Sequence, residues 1–288
     1  MEIVYSSCNN HIIILQKLEE TKTNEETLIV VDKNNATYQG DKFLVISIIN
    51  KFDKKEINEI IDTYMIGFII YKVGEIVGYE LNRNFKIMSV SDMRLRYYKT
   101  YERAFYEDLS REINKLYTGK YKKWSYEGYL EEECDYVNGV RNGTYNIWYH
   151  NGQLKLRYSY VDGQQDGNYK SWYMNGQVEF ECNYIHGIIE GFASWWYENG
   201  QLKIKSPFVN GNRHGENIEF SKNGKIYKKC DYIDNKRNGI YIEYFKNGNQ
   251  KMKCNYVDDK LDGVCSKWFN DGKLDVEYFY VKGKKDLN

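Results

Sequence analysis

From residue 119 onward, apolar and polar positions alternate in short runs. Leu154, Leu156, Tyr158 and Tyr160 are separated by Lys155, Arg157 and Ser159, and Val178, Phe180, Cys182 and Tyr184 by Glu179, Glu181 and Asn183. Period-two patterning over such lengths predicts strands with one buried face, because successive side chains point to opposite sides of a sheet. Each run ends in a turn-forming cluster. Asn-Gly or Asp-Gly pairs stand at 151–152, 175–176, 199–200, 223–224, 247–248 and 271–272, and clusters such as DGQQDG (162–167) and NGNRHG (210–215) close the other ends. The first set reads as two-residue type I′ hairpin loops, in which both central residues need positive φ. The second set reads as the connection to the next hairpin.

The pattern recurs every 24 residues. Gly119, Gly143, Gly167, Gly191, Gly215, Gly239 and Gly263 form one ladder, and Gly128, Gly152, Gly176, Gly200, Gly224, Gly248 and Gly272 a second. A unit this short buries its apolar face only against its neighbours. The predicted fold is therefore mainly β: an elongated β-hairpin solenoid of seven 24-residue repeats over 119–288. One face should collect Tyr149, Leu154, Leu156, Tyr158 and Tyr160, then Tyr173, Val178, Phe180, Cys182 and Tyr184. The other should carry Trp148 and Trp172 among charged pairs such as Lys155/Arg157 and Glu179/Glu181.

Residues 1–99 lack this period and read as a small α+β domain. Asn50 to Tyr64, with Asp53 and Glu56 ahead of Ile57, Ile60 and Ile61, predicts an N-capped amphipathic helix. Phe43–Ile49 and Ile66–Tyr71 predict buried strands. Ala104, Phe105, Leu109, Ile113 and Leu116 recur at helical spacing, so 100–118 is expected to form a connecting helix that caps the exposed edge of the first hairpin.

Charge then limits the partners. The chain carries 41 basic and 41 acidic side chains, so no general attraction to nucleic acid is expected. The balance is uneven: 7 basic against 11 acidic over 119–200, and 18 against 12 over 201–288. The opening MEIVYSSCNN lacks a basic leader, and Met65–Tyr71 is too short to span a bilayer, which gives a soluble, intracellular protein as the expectation. Six cysteines without CxxC or paired His/Cys spacing make neither a zinc motif nor a disulfide framework. Cys134, Cys182, Cys230 and Cys254 share one inward position. Cys254 falls across from Cys265 on the next strand, close enough to bond if oxidised, the alternative being two small buried thiols.

Two sets of side chains are candidates for recognition. Trp124, Trp148, Trp172, Trp196, Phe220, Tyr244 and Trp268 form an aromatic column with rows about 10 Å apart, suited to an extended peptide or a partner's ribbon. The alternative is that the rings pack over turn glycines and a column of Val161, Val209 and Val257. Lys203, Lys205, Lys229, Lys251 and Lys253 form the candidate patch for an acidic partner or anionic lipid. Charged pairs alternate in sign from repeat to repeat, which would help to fix register. His150, His186 and His214 fall at or beside turns in different units, without a spacing for metal binding or for a nucleophile and base, and no phosphate-binding glycine loop is present. No catalytic, metal or cofactor site is expected.

FVNGNRHG (208–215), YVNGVRNG (136–143), YIDNKRNG (232–239) and the WYxNGQL blocks at 148–154 and 196–202 resemble MORN repeats, specifically the MORN-variant form. The resemblance covers 119 to about 286. It departs at Asn235 and Asp259, which replace a turn glycine, and at Ser125 and Ser221, which replace an aromatic. YKVGEIV (71–77) and YYKTYERAFYE (97–107) look like a domain of unknown function that precedes repeat arrays in giant DNA viruses such as the mimivirus group. MRLRYY (93–98) stands where that domain often has a Cys-x-x-Gly-x-His element, so no role tied to that element carries over. Taken together, the resemblance implies a non-enzymatic protein-protein interaction or scaffold module, in a host cytoplasm or virion if viral. Membrane or phosphoinositide attachment through the basic repeats, and antitoxin-like neutralisation of a partner enzyme, are the alternatives it implies.

Overall fold

The computed structural model describes residues 1–64, 67–78, 95–107, 109 and 117–286. The chain divides into two compact units, Met1–Val140 and Arg141–Asn288.

The first unit contains β1 (Ile3–Cys8), β2 (His11–Lys17), β3 (Tyr38–Gly40), β4 (Lys42–Asn50), β5 (Glu56–Ile57), β6 (Glu59–Tyr64), β7 (Gly67–Lys72), β8 (Ile76–Gly78), β9 (Leu95–Tyr97), α1 (Tyr101–Tyr106), β10 (Gly119–Trp124) and β11 (Leu130–Val137). β1, β2, β4 and β5 pair in that order, with β8 also on β4; β3 pairs β9, and β6 pairs β7. Alternation along β1 sends Val4, Ser6 and Cys8 inward, and Ile13, Leu15, Phe43, Val45 and Ile48 complete the core. The Tyr97 ring seals one side, stacked on Tyr38 at 5.7 Å and met by Phe43 at 5.2 Å.

The helix expected over Asn50–Tyr64 is not formed. Asn50 Oδ1 accepts from the Phe52 and Asp53 amides, Asp53 Oδ1 accepts from the Lys55 amide, and Lys54 sits at φ 61°. These side-chain-capped turns satisfy locally the groups that would have started a helix. The β-branched run that follows then pairs as β5 and the β6–β7 hairpin. β7 is half-buried rather than buried, with Tyr71 inside and Phe68 and Ile70 exposed; Ile66 lies outside the described residues. Thr100 caps α1, its Oγ1 accepting from the Arg103 amide at 3.2 Å, and Ala104 and Leu109 are buried; 110–116, the rest of the expected connecting helix, lie outside the described residues.

α1 lies against the first repeat hairpin. Tyr106 meets Trp124 at 5.7 Å and Tyr121 at 6.4 Å, and Glu102 takes Lys122 at 2.7 Å. The β10–β11 loop is held as well: the Val31 and Asp32 amides donate to the Glu127 carbonyl and the Thr37 amide to the Tyr126 carbonyl.

The second unit continues from β12 (Val140–Trp148) through β13 (Leu154–Val161), β14 (Gln164–Gln165), β15 (Gly167–Trp172), β16 (Val178–Ile185), β17 (Ile188–Trp196), β18 (Leu202–Val209), β19 (Asn212–Arg213), β20 (Gly215–Phe220) and β21 (Ile226–Ile233). It ends with β22 (Lys236–Tyr244), β23 (Gln250–Val257), β24 (Lys260–Leu261), β25 (Gly263–Trp268), β26 (Leu274–Val281) and β27 (Lys284–Lys285). These strands pair in sequence order along an open antiparallel path.

The type I′ turn expected at the Asn-Gly pairs forms at the other connection instead. Asn151 is not at positive φ: the Gly152 amide donates to the Tyr149 carbonyl and the Tyr149 amide to the Gln153 carbonyl, enclosing three loop residues with only Gly152, at φ 81°, left-handed. This is a type I turn closed by a glycine bulge. The type I′ turn is at the other end, where Asp162 (φ 49°) and Gly163 (φ 81°) join Val161 to Gln164. Parity explains the difference. A three-residue loop would reverse the faces, and a register slip between Ile147 and Trp148 restores them, again at Trp172, Trp196, Phe220, Tyr244 and Trp268.

The first glycine ladder has a separate purpose. Gly143, Gly167, Gly191, Gly215, Gly239 and Gly263 lie directly across from Tyr160, Tyr184, Phe208, Tyr232, Tyr256 and Tyr280, so each backbone gap faces an aromatic ring on the inner side. Where Asn235 and Asp259 replace a turn glycine, they adopt φ 68° and 65°, and their side-chain oxygens accept from the Arg213 and Arg237 amides one repeat back. Hydrogen bonds from the Arg237 side chain and amide hold the Asp259 carboxyl below its ordinary range.

Candidate interaction surface

Repeats are joined by side chains as well as by the ladder. The Tyr149, Tyr173 and Tyr197 hydroxyls donate to the Trp172, Trp196 and Phe220 carbonyls at 2.8–2.9 Å, and Asn151, Asn175, Asn199 and Asn247 donate to carbonyls 23 residues on. At Ser221 the link is absent among the described residues, because the short hydroxyl folds back onto Asn223 and Lys225 of its own loop. In these four Asn-Gly pairs the asparagine thus supplies an inter-repeat donor rather than a left-handed residue.

On the loop side of each hairpin stands the aromatic column. Trp148, Trp172, Trp196, Phe220, Tyr244 and Trp268 are half-buried at the register slips, and Trp124 of the first unit is buried beside Arg103 and Tyr106. Lys122 and Lys170 lie over the Trp124 and Trp172 rings at 5.8 and 5.9 Å. The rings do not pack over Val161, Val209 and Val257. Those valines sit beside the type I′ turns at the far ends of the strands, seven residues or about 23 Å away.

Pairing draws the lysines into a line. Ser194, Lys205, Ile218, Lys229, Ile242, Lys253 and Ser266 are successive cross-strand partners and therefore share one face. Lys229 pairs with Glu216 at 3.0 Å and Lys251 with Glu243 at 3.2 Å. Lys203 lies over Tyr197 and Lys205 over Phe192, at 5.6 and 4.3 Å. Lys205 and Lys253 form no ion pair among the described residues. Among the described residues the charges do not pair row to row as expected; the carboxylates that meet Lys170, Lys229 and Lys251 come from the adjoining strand.

Alternation along β18, β21 and β23 puts Val209, Ile233 and Val257 on the same face as Lys205, Lys229 and Lys253. Val161, Ile185, Val209, Ile233, Val257 and Val281 repeat every 24 residues and are 42–48% exposed. The sequence pattern assigns Val161, Val209 and Val257 only a packing role beneath the aromatic rings. The column's signal was the fixed 24-residue recurrence of a β-branched residue immediately before a polar turn.

The first unit has a cleft of about 320 Å³ lined in part by Thr37, Arg96, Arg103, Tyr106, Lys122 and Trp124. Its cations are largely occupied: Arg103 pairs with Glu107 at 2.6 Å, Lys122 with Glu102 at 2.7 Å and Lys123 with Glu131 at 3.0 Å. His186 and His214 reach Asp166 and Asp234 at 3.4 and 3.5 Å on the surface, and burial lowers the pKa of His11. Among the described residues no group of three His, Cys, Asp or Glu is placed to hold a metal ion, and no helix is long and apolar enough to cross a membrane.

The family model of the MORN repeat variant matches residues 141–162, 165–186, 190–210, 213–234, 237–258 and 261–282, six successive repeats of the second unit. No curated protein matches the chain. A crystal structure of a GtfA/B complex bound to UDP and GlcNAc aligns over 38% of this chain and 21% of its own, at 12% identity and a TM-score of 0.18. This chain spans about a fifth of that one, and so distant a likeness carries no argument.

Proposed function

We propose that this protein is a non-enzymatic interaction or scaffold module whose repeat sheet receives an acidic, partly apolar segment of another protein. Repeats of this variant commonly serve as interaction modules, and they are generally non-enzymatic. The observation that carries the reading is the aliphatic column beside the lysine row. A strand position facing water accepts threonine or lysine without loss to the sheet, yet six such positions hold valine or isoleucine. Covering them would release water from apolar surface at about 25 cal/mol per Å². Lys205 and Lys253 would supply the attraction and the orientation. The half-buried aromatic column at the loop ends is the second contact line of the proposal. A giant-virus source rests on the YKVGEIV and YYKTYERAFYE resemblance alone.

The test is affinity purification of the full chain from its source cell, beside Val209→Asp/Ile233→Asp, Lys205→Glu/Lys253→Glu and Trp196→Ala. Loss of one and the same protein from the first two variants is expected. A partner retained by both would overturn the reading. Salt-sensitive flotation of the purified chain with anionic vesicles, abolished by Lys205→Glu/Lys253→Glu, would replace it with membrane attachment.

A further inference from the structure

Cys265 departs from its own column. At 24-residue steps before it stand Tyr241, Asn217, Ala193, Tyr169 and Tyr145, whereas Cys254 follows Cys230 and Cys182 in the facing column. β23 pairs β25 through Met252↔Lys267 and Lys253↔Ser266, and the next step along that register brings Cys254 to Cys265. Their Cα atoms are 4.2 Å apart and their sulfurs are bonded. Cys182 faces Tyr169, and Cys230 faces Asn217 and Tyr241, so neither has a thiol across from it.

The geometry points to Cys254 and Cys265 as a thiol–disulfide site that sets whether the last hairpin stays on the sheet. This goes beyond the interaction reading and does not depend on it. Among the described residues β25 and β26 form the last hairpin, and the two-residue β27 pairs its outer edge. The connection from β23 turns at Asp258 and Asp259, both at positive φ, whereas the turns at Asn138, Asp162, His186, Asn210 and Lys282 place a glycine second, so this junction carries a second non-glycine residue in a left-handed conformation. A bond across 11 residues, just beyond that turn, restricts how far the hairpin can leave.

Both sulfurs are buried, so exchange proceeds when the hairpin lifts. One cysteine thiolate then attacks a small-molecule disulfide, forming a mixed disulfide and releasing one carrier thiol. The second cysteine displaces the other carrier thiol as the protein S–S bond forms. Two protein thiols lose two protons and two electrons, and the carrier disulfide is reduced to two thiols. Burial raises the Cys182 thiol to about 11 and raises Cys230 as well, which keeps them protonated and poor competitors.

The full chain is incubated with oxidised glutathione, then denatured in an alkylating agent without reductant and weighed. Four of the six cysteines should be modified, and all six after reduction. Amide exchange across 258–286 should speed up about tenfold or more on reduction, with β16–β18 unchanged. Cys254→Ser/Cys265→Ser should exchange at the fast rate with or without reductant, while Cys230→Ser should retain the response. Six modified cysteines after oxidation, or a bond through any other cysteine, would overturn the site. Equal exchange in the oxidised and reduced protein would overturn the coupling to the hairpin.

Discussion

Gly128 and Gly152 hold the same position in successive repeats, yet substitution should separate them sharply. Both are left-handed, at φ 94° and 81°, so a side chain costs about 1 kcal/mol of backbone strain at either one. A Cβ at Gly152 meets nothing within 4 Å, whereas at Gly128 it would lie 2.3 Å from the Asp32 carbonyl oxygen and 2.7 Å from the Ala36 amide. The obstacle is backbone and cannot rotate away. Relief requires 31–37 to lift from the loop, breaking the Val31 and Asp32 bonds to Glu127 and the Thr37 bond to Tyr126, each worth about 1 kcal/mol. Gly128→Ala should therefore cost roughly 3 to 4 kcal/mol, against about 1 kcal/mol for Gly152→Ala. Native-state amide exchange reads this directly. Residues 31–37 should exchange about two to three orders of magnitude faster in Gly128→Ala and at the wild-type rate in Gly152→Ala. Unchanged protection of 31–37 in Gly128→Ala would refute the reasoning, as would equal losses of stability in the two variants.

Two further outcomes follow from named contacts. Burial opposes ionisation of Glu25, but hydrogen bonds from Lys17, Lys99 and Tyr97 overcome it and hold the carboxyl at about 2, below its ordinary 4.5. A depressed carboxylate contributes stability that is present above pH 4.5 and lost as pH falls toward 2, so urea midpoints of the first unit should decline over that window. Glu25→Gln should be less stable at neutral pH and should flatten that decline; an unaltered profile would contradict the assignment. Tyr173→Phe removes the donor to the Trp196 carbonyl and should cost about 1 kcal/mol in chemical denaturation. The reciprocal Phe245→Tyr, which offers the missing hydroxyl at an equivalent position, should stabilise by a similar amount, and no change in either variant would show that these hydroxyls do not join repeats.

The repeat and its strands are legible in the order of the residues alone. Period-two alternation, the 24-residue glycine ladders and the recurrent turn pairs are local signals, and each is reinforced by every other copy. The inward placement of Leu156, Tyr158 and Cys182 and the closeness of Cys254 to Cys265 follow from parity alone. Contacts between strands settle what parity leaves open. Asn-Gly satisfies either a two-residue loop or a three-residue loop with a bulge, and the choice was made by the register slip at Trp148 and by the donor that Asn151 extends to the next repeat. The 50–64 segment has helical caps and β-branched residues in the same stretch, and pairing with β7 outweighed the caps. The candidate surface was only half legible. Lys205, Lys229 and Lys253 were visible as charge, but whether a valine beside a turn is covered depends on what lies over its face. Sequence carries no term for that, because burial is a property of neighbours brought together by the whole sheet.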